Sequence, residues 1–307
     1  MFCSYCEQLI PALPGQNYCS RHQQRPEAVK SNAFLLRAKK LQSDLHQSRW
    51  AFRAVLHGYQ LLESNAYRHS LHASNYLITP QGADYRTEIA AEQDVEVLVV
   101  GFHPRFFLQA FGQWERNSSQ LLDNPEPANH ELPVLWETAY ERTPVFDALL
   151  SRIKTTIEVQ SSSAEELEEL YTDLVNNIAA NHTETNKLAE LIPAKKPFVR
   201  TELFRRLRLA RDYMESQLDQ TLNLEQIAAA ACLSPFHFLR LFRATFRLSP
   251  MQFLAQARLQ KAQYLLQHTT APVASIAEEV SFTDQGAFAR WFKRYTGHTP
   301  SSVRLVT

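Results

Sequence analysis

The chain has 307 residues, 32 basic and 32 acidic side chains and 45% hydrophobic residues: enough to bury a real core and, by length, about two domains. No stretch approaches ~18 uninterrupted apolar residues, so no membrane span is expected. Met1-Phe2-Cys3 lacks the basic-then-apolar opening of a secretory signal, which predicts a cytoplasmic protein. The neutral total hides an asymmetry: residues 198–307 hold 14 Lys and Arg against 8 Asp and Glu, while residues 1–197 hold 18 against 24. A basic final third suits a polyanionic partner, and an acidic front suits ligand or protein contacts.

Residues 1–25 form a cysteine-rich leader. Cys3-x2-Cys6-x12-Cys19-x2-His22 sets four ligands in two close pairs. That spacing predicts a closed, structural tetrahedral zinc site, whose metal would supply folding energy that so short a segment lacks. A redox or metal-sensing role is the alternative.

Residues 27–48 read as a polar helix, with Phe34, Leu35, Leu41 and Leu45 spaced at helical intervals. The period then changes. Arg49 to Leu56 alternates, His57-Gly58 signals a turn, Tyr59 to Leu62 and Asn75 to Thr79 are extended, and Val95 to Val100 is a buried strand ending at Gly101. Short strands punctuated by turns over ~49–111 predict an all-β barrel or sandwich. From Pro144 the helical period returns, with stripes at Val145, Leu149 and Ile153 and at Leu167, Leu170, Leu174 and Ile178. The second stripe lies on an acidic helix and suits either core packing or a dimer face. Residues 183–199, with Pro193 and Pro197 around Lys195-Lys196, read as a linker. All that follows reads as helix with short turns, and Cys232 falls in an apolar pattern that predicts core.

The C-terminal third repeats itself. One unit runs from Leu224 through Ile227-Ala228 and Ser234-Pro235 to Phe238-Leu239-Arg240-Leu241-Phe242-Arg243. A second runs from Val273 through Ile276-Ala277 and Thr283-Asp284 to Phe288-Ala289-Arg290-Trp291-Phe292-Lys293. Ile227 matches Ile276 at a spacing of 49 and Arg240 matches Arg290 at 50, so the second turn holds one extra residue. Each unit reads as a short helix with small buried residues, crossed by a second helix that Ser234 or Thr283 can cap. The second helices bury Phe238, Leu241 and Phe242, and Phe288, Trp291 and Phe292. Between the units, Met251 to His268 is one helical pattern of 18 residues, about 27 Å long, which places two second helices roughly one DNA turn, about 34 Å, apart.

Residues ~200–305 resemble the AraC family of bacterial transcription regulators. The resemblance rests on Ile227-Ala228, Phe238-x-Arg240-x-Phe242-Arg243, Ser249-Pro250, Ile276-Ala277, Phe282, Phe288-x-Arg290-x-Phe292-Lys293-Arg294-Tyr295-Thr296-Gly297 and Pro300. It implies a double helix-turn-helix in which Phe236, Leu239 and Arg240 read bases in the first unit, and Gln285, Gly286, Ala289 and Arg290 in the second. Arg243, Lys293 and Arg294 are expected on phosphates. Arg240 and Arg290 suit guanine and Gln285 adenine, while Phe236 and Leu239 offer only apolar contact. Two departures from the family stand out: Arg247 and Ser281 occupy positions where it usually has Gly.

The β region resembles the small cupin-like barrel that often precedes such a unit and senses a small molecule. Trp50, Phe52, His69, His72 and Tyr76 are the candidates to line its effector pocket. His69-x-x-His72 and His103 lack the close His-x-His plus Glu pattern of metal cupins.

The expectation is an α+β chain: the leader (1–25), a cupin-like β-barrel with helices for sensing and dimerisation (26–182), a linker (183–199), and an all-α double helix-turn-helix domain (200–307). As a non-enzymatic regulator it implies double-stranded promoter DNA, RNA polymerase, a small-molecule effector and a homodimer as partners, and zinc in the leader. The alternative is an alkylation-response protein with a zinc-bound, methyl-accepting leader cysteine. Such proteins share the plan, but this leader has three cysteines, not four, and no repair domain is visible.

Overall fold

The computed structural model describes residues 2–3, 8–9, 31–43, 46–47, 50–64, 67–80, 82–115, 135, 138–159 and 164–304. The chain divides into two compact units, residues 1–186 and 187–307. The class is α+β, with an antiparallel sheet and helices in the first unit and helices alone in the second. Of the leader, only a two-stranded pair is described, β1 (Phe2–Cys3) against β2 (Gln8–Leu9). Cys6, Cys19 and His22, and the side chain of Cys3, lie outside the described residues.

The first unit is built on β3 (Asn32–Gln42), β4 (His46–Gln47), β5 (Ala51–His57), β6 (Gln60–Ser64), β7 (Tyr67–Leu71), β8 (Asn75–Thr79), β9 (Asp84–Gly101) and β10 (Tyr140–Glu141). The sheet runs β10-β8-β5-β9-β6-β7, with β3 and β4 also paired to β9. The 18-residue β9 organises it: its first half pairs with β6 and its second half with β5. Arg53, opposite Val99 at one end of β9, brings its guanidinium to 4.3 Å from the ring centre of Tyr85 at the other end. The sheet is therefore curled. At the β5–β6 turn, Gly58 has φ +92°, and a Cβ there would meet Val95 Cγ2 at 2.7 Å, so both conformation and space require glycine.

The segment read as a helix over 27–48 is strand where described, and its apolar spacing explains the misreading. Phe34, Leu36 and Ala38 alternate onto one core. A register shift between Ala38 and Lys40 then returns Leu41 to the same face. Across the bulge, 38 to 41 has the three-residue step of a helix.

Strand alternation gives the sheet two buried faces. Inward lie Val55, Leu62, Leu71, Leu77, Tyr85, Ile89, Val95, Val97 and Val99. Outward lie Phe52 and Ala54 of β5 and Tyr76 and Ile78 of β8, against the helices. Those helices are α1 (Pro104–Glu115), α2 (Pro144–Val159) and α3 (Ala164–Glu190). In the region read as all-β to ~111, α1 starts at Pro104 and buries Phe107, Ala110 and Phe111, one helical stripe. Phe146 of α2 stacks on Tyr76 at 4.6 Å and lies 5.7 Å from Phe52. The buried α2 stripe is thus Phe146, Leu149, Leu150 and Ile153, while Val145 is exposed. On α3, Leu170, Leu174 and Ile178 are core. Polar groups fix α2 at both ends. Arg142 donates to the Val55 carbonyl at 2.8 Å and to Asp147 at 2.7 Å. Glu96 of β9 accepts from Arg37 at 2.7 Å and Lys154 at 2.5 Å.

Helix α3 continues to Glu190, and only residues 191–196 separate it from α4 (Pro197–Ser216). Much of the segment read as a linker is therefore helical. Its polarity reflects an exposed helix surface, and the break comes at Pro193, which cannot donate to a helical carbonyl.

The second unit contains α4, α5 (Leu224–Ala230), α6 (Pro235–Phe246), α7 (Pro250–His268), α8 (Val273–Glu278), α9 (Gln285–Thr296) and α10 (Pro300–Arg304). Phe204, Leu207, Ile227, Ala228, Phe238, Phe242 and Leu254 are buried around the first half. Ala262, Leu266, Ile276, Ala277, Val280, Phe288 and Phe292 form the core of the second. Helix α7 contributes to both, as its unbroken pattern predicts. Among the described residues no helix is long and apolar enough to cross a membrane.

Candidate nucleic-acid interface

Two helix-turn-helix units face the question of where charge and shape are presented. Helix α5 opens with a reciprocal capping box: Asn223 accepts from the Gln226 amide at 2.8 Å, and the Gln226 side chain accepts from the Asn223 amide at 3.0 Å. Ile227 and Ala228 are its buried side, as Ile276 and Ala277 are for α8. Small alanines let the second helix cross closely. That second helix, α6 or α9, buries Phe238, Leu241 and Phe242, or Phe288 and Phe292. Trp291 is half-buried and packs on Phe282 at 4.9 Å.

The backbone repeats as closely as the core. Among the described residues, non-glycine positive φ occurs at Cys232 (51°), Arg247 (62°) and Ser281 (68°), and Gly297 has φ 78°. Cys232 and Ser281 occupy equivalent turns between the paired helices. Arg247 and Gly297 both end the second helix in the left-handed conformation. Four matched positions need a conformation that favours glycine, and one has it. Cys232 is consequently exposed, contrary to its expected place in the core, and its carbonyl accepts from Arg206 at 3.3 Å. A left-handed turn residue projects its side chain away from both helices, which apolar periodicity does not reveal.

The caps differ between the units. Ser234 holds the N-cap position of α6, but its side chain makes no capping hydrogen bond. Asp284, not Thr283, caps α9, accepting from the amides of Gly286 at 3.0 Å and Ala287 at 2.8 Å. The extra residue in the second turn shifts the helix start by one. These two backbone donors, Gly286 first, hold the Asp284 carboxyl below its usual range.

The outer faces carry the residues expected to read DNA. On α6, Phe236 is 77% exposed and Arg240 and Arg243 are exposed, with Leu239 intermediate. On α9, Gln285, Gly286, Arg290, Lys293 and Arg294 are exposed and Ala289 is intermediate. Arg240 has no ion-pair or hydrogen-bond partner among the described residues. Arg290 lies 3.8 Å from Asp284, an exposed and weak contact. Helix α7 holds the frame: capped by Ser249 and Gln252, it also sends Arg258 to the Leu218 carbonyl at 3.0 Å and Lys261 to Glu279 at 2.7 Å.

The residues expected to line an effector pocket do not form one group. Trp50, Phe52 and Tyr76 are buried on the face packed against helices, with Trp50 stacked on Phe107 at 4.8 Å and Phe52 5.3 Å from Tyr76. His72 sits in the β7–β8 turn, bonded to Asn75. Of the five, His69 alone points into the curl, opposite Leu62. Alternation places Trp50 and Phe52 together but does not say which face is concave. The inward polar residues that were missed are Arg53 and Gln60, one residue out of phase with the aromatic series.

A helix-turn-helix domain model matches residues 227–305. The chain is 34% identical over 91 residues to the msm operon regulatory protein of Streptococcus mutans, covering 30% of this chain and 33% of that protein. It is 35% identical over 100 residues to the arabinose operon regulatory protein of Escherichia coli, covering 32% and 34%. The matched region thus spans about a third of these relatives. Among solved structures, the C-terminal domain of the response regulator AraT from Geobacillus stearothermophilus is 31% identical, with 33% of this chain and 85% of that one covered and a TM-score of 0.32. Residues 227–305 are a helix-turn-helix domain, and over this stretch the chain is similar to regulators of the AraC type.

Proposed function

We propose that this chain is a transcription regulator that grips double-stranded promoter DNA with α6 and α9 and responds to a small molecule sensed by the N-terminal sheet. The observation that carries the reading is the pair of equivalent second helices, each with its aromatic face buried and its arginine-bearing face exposed. Set in adjacent major grooves, Arg240 and Arg290 donate to guanine and Gln285 reads adenine, while Phe236 and Leu239 meet thymine methyl groups. Gly286 and Ala289 allow close approach. Arg243, Lys293 and Arg294 neutralise phosphates, which makes affinity fall with salt. With so few polar readers, DNA shape shares the discrimination. RNA polymerase and a second copy of the chain complete the partners of such a regulator. The leader spacing of Cys3, Cys6, Cys19 and His22 supports a structural zinc, and metal analysis of the purified chain tests it: stoichiometric zinc is expected, and its absence ends that assignment.

The decisive test of the interface is binding of the full chain to its selected DNA site. Replacing Arg240 or Arg290 with Ala should each weaken specific binding by about 1–3 kcal/mol and relax preference at one base position. Unchanged sequence preference would sink the base-reading assignment. An equal loss on all sequences would make these residues phosphate contacts.

A further inference from the structure

Arg53 is a cation inside the curled sheet with no acid paired to it among the described residues. It is 6% exposed, and its register partners Leu77 and Val99 place it on the inward face. Its Nε is buried without a hydrogen-bond partner, and among the described residues it has no ion pair. The contact it does make, 4.3 Å from the centre of the Tyr85 ring, is with a neutral group. Three acids of the neighbouring strands are engaged elsewhere: Glu63 with Arg68 and Arg86, Glu88 with Arg68, and Glu96 with Arg37 and Lys154. On the same inward face Gln60, 1% exposed, has both its amide nitrogen and its oxygen unpartnered. A guanidinium does not escape burial by losing its proton. An uncompensated one in apolar surroundings destabilises the fold unless an anion joins it.

We propose that the curl of the N-terminal sheet binds a small organic monoanion, a carboxylate on an apolar body, with Arg53 as its charge partner and Gln60 as a further polar contact. One arginine balances one charge, so a carboxylate fits better than a phosphate dianion. Around it Val55, Leu77, Val97 and Val99 supply apolar walls for the body of the ligand. The fork of an arginine suits both oxygens of a carboxylate. The proposal rests on the reading of this sheet as the sensing element and gives that sensor a ligand chemistry.

The test is thermal unfolding of the full chain with millimolar sodium octanoate and sodium benzoate, beside octanamide, benzamide and inorganic phosphate. At least one carboxylate should raise the melting temperature of the wild-type chain by about 3 °C or more, while its amide and phosphate do not. Arg53→Met should abolish that shift and, lacking a buried unpaired charge, should melt no lower than wild type without ligand. No shift with either carboxylate, or equal shifts with acid and amide, overturns the proposal on wild-type protein alone. So does an Arg53→Met chain that retains the carboxylate shift. DNA binding is followed in parallel by fluorescence anisotropy. Carboxylate stabilisation without any DNA binding would support this site while ending the regulator reading; DNA binding without carboxylate stabilisation would end this site alone.

Discussion

The two helix-turn-helix units share a fold and a backbone but not a surface. Their buried residues match, Ile227 with Ile276, Ala228 with Ala277, Phe238 with Phe288 and Phe242 with Phe292. Their left-handed positions match too, although Cys232, Arg247 and Ser281 occupy three of the four. The outer faces do not match. The first unit offers an exposed phenylalanine and an exposed arginine with no partner among the described residues; the second offers a glutamine, two small residues and an arginine near its own helix cap. Packing and chain reversal constrain the repeat, because a lost ring leaves a cavity and a lost turn unlinks the helices. The solvent face is free to diverge, and on the proposed function that divergence would let one protein read two different stretches of DNA.

Substitutions at several depths test how far the two units are equivalent. The deepest is the core. Phe238→Ala and Phe288→Ala, each removing a fully buried ring, should both cost about 3–5 kcal/mol in denaturant unfolding. A much smaller loss in one unit would show that the cores are equivalent in pattern and not in energy. The turns are next. Gly297→Ala should destabilise by about 1 kcal/mol through its positive φ alone, since no atom lies within 4 Å of the added Cβ. Ser281→Gly should stabilise by up to about 1 kcal/mol. If Ser281→Gly is destabilising instead, its hydroxyl contact with Thr221 at 3.4 Å matters more than the backbone strain.

The caps separate the units most finely. Asp284→Asn should lower the melting temperature slightly at neutral pH, whereas Ser234→Ala should change nothing, because Ser234 makes no capping bond. The folded-state pKa of Asp284 is depressed from an ordinary value of 3.8. Its charge therefore contributes stability above that value and loses it as pH falls through the folded pKa. The gap between wild type and Asp284→Asn should close in strong acid, and a pH-independent gap would refute the charge as its cause.

Legibility in the sequence followed how locally each feature is encoded. The α5–α6 and α8–α9 repeat, the helix between them and the strands at Ala51–His57 and Asn75–Thr79 carry their burial pattern within one element. Periodicity is enough to find them. The same holds for the exposed sites on α6 and α9, which are the complement of the buried stripe. Strand β3 was missed because what makes it a strand is β9, some sixty residues away, and the bulge in their pairing disguises its alternation. Cys232 was misplaced because its environment depends on a left-handed φ, which leaves no trace in hydrophobic spacing.

Helical periodicity was sufficient for the paired helix-turn-helix units, their matched cores and the faces left exposed, because a 3.6-residue period fixes which side of a helix is buried. Which side of the N-terminal sheet is concave is set by pairing between distant strands. That choice depends on how β9 bends between two sets of partners, and a strand's own alternation is the same whichever way the sheet curls. It turned the aromatic series of Trp50, Phe52 and Tyr76 toward the helices and brought Arg53, one residue out of phase, into the interior.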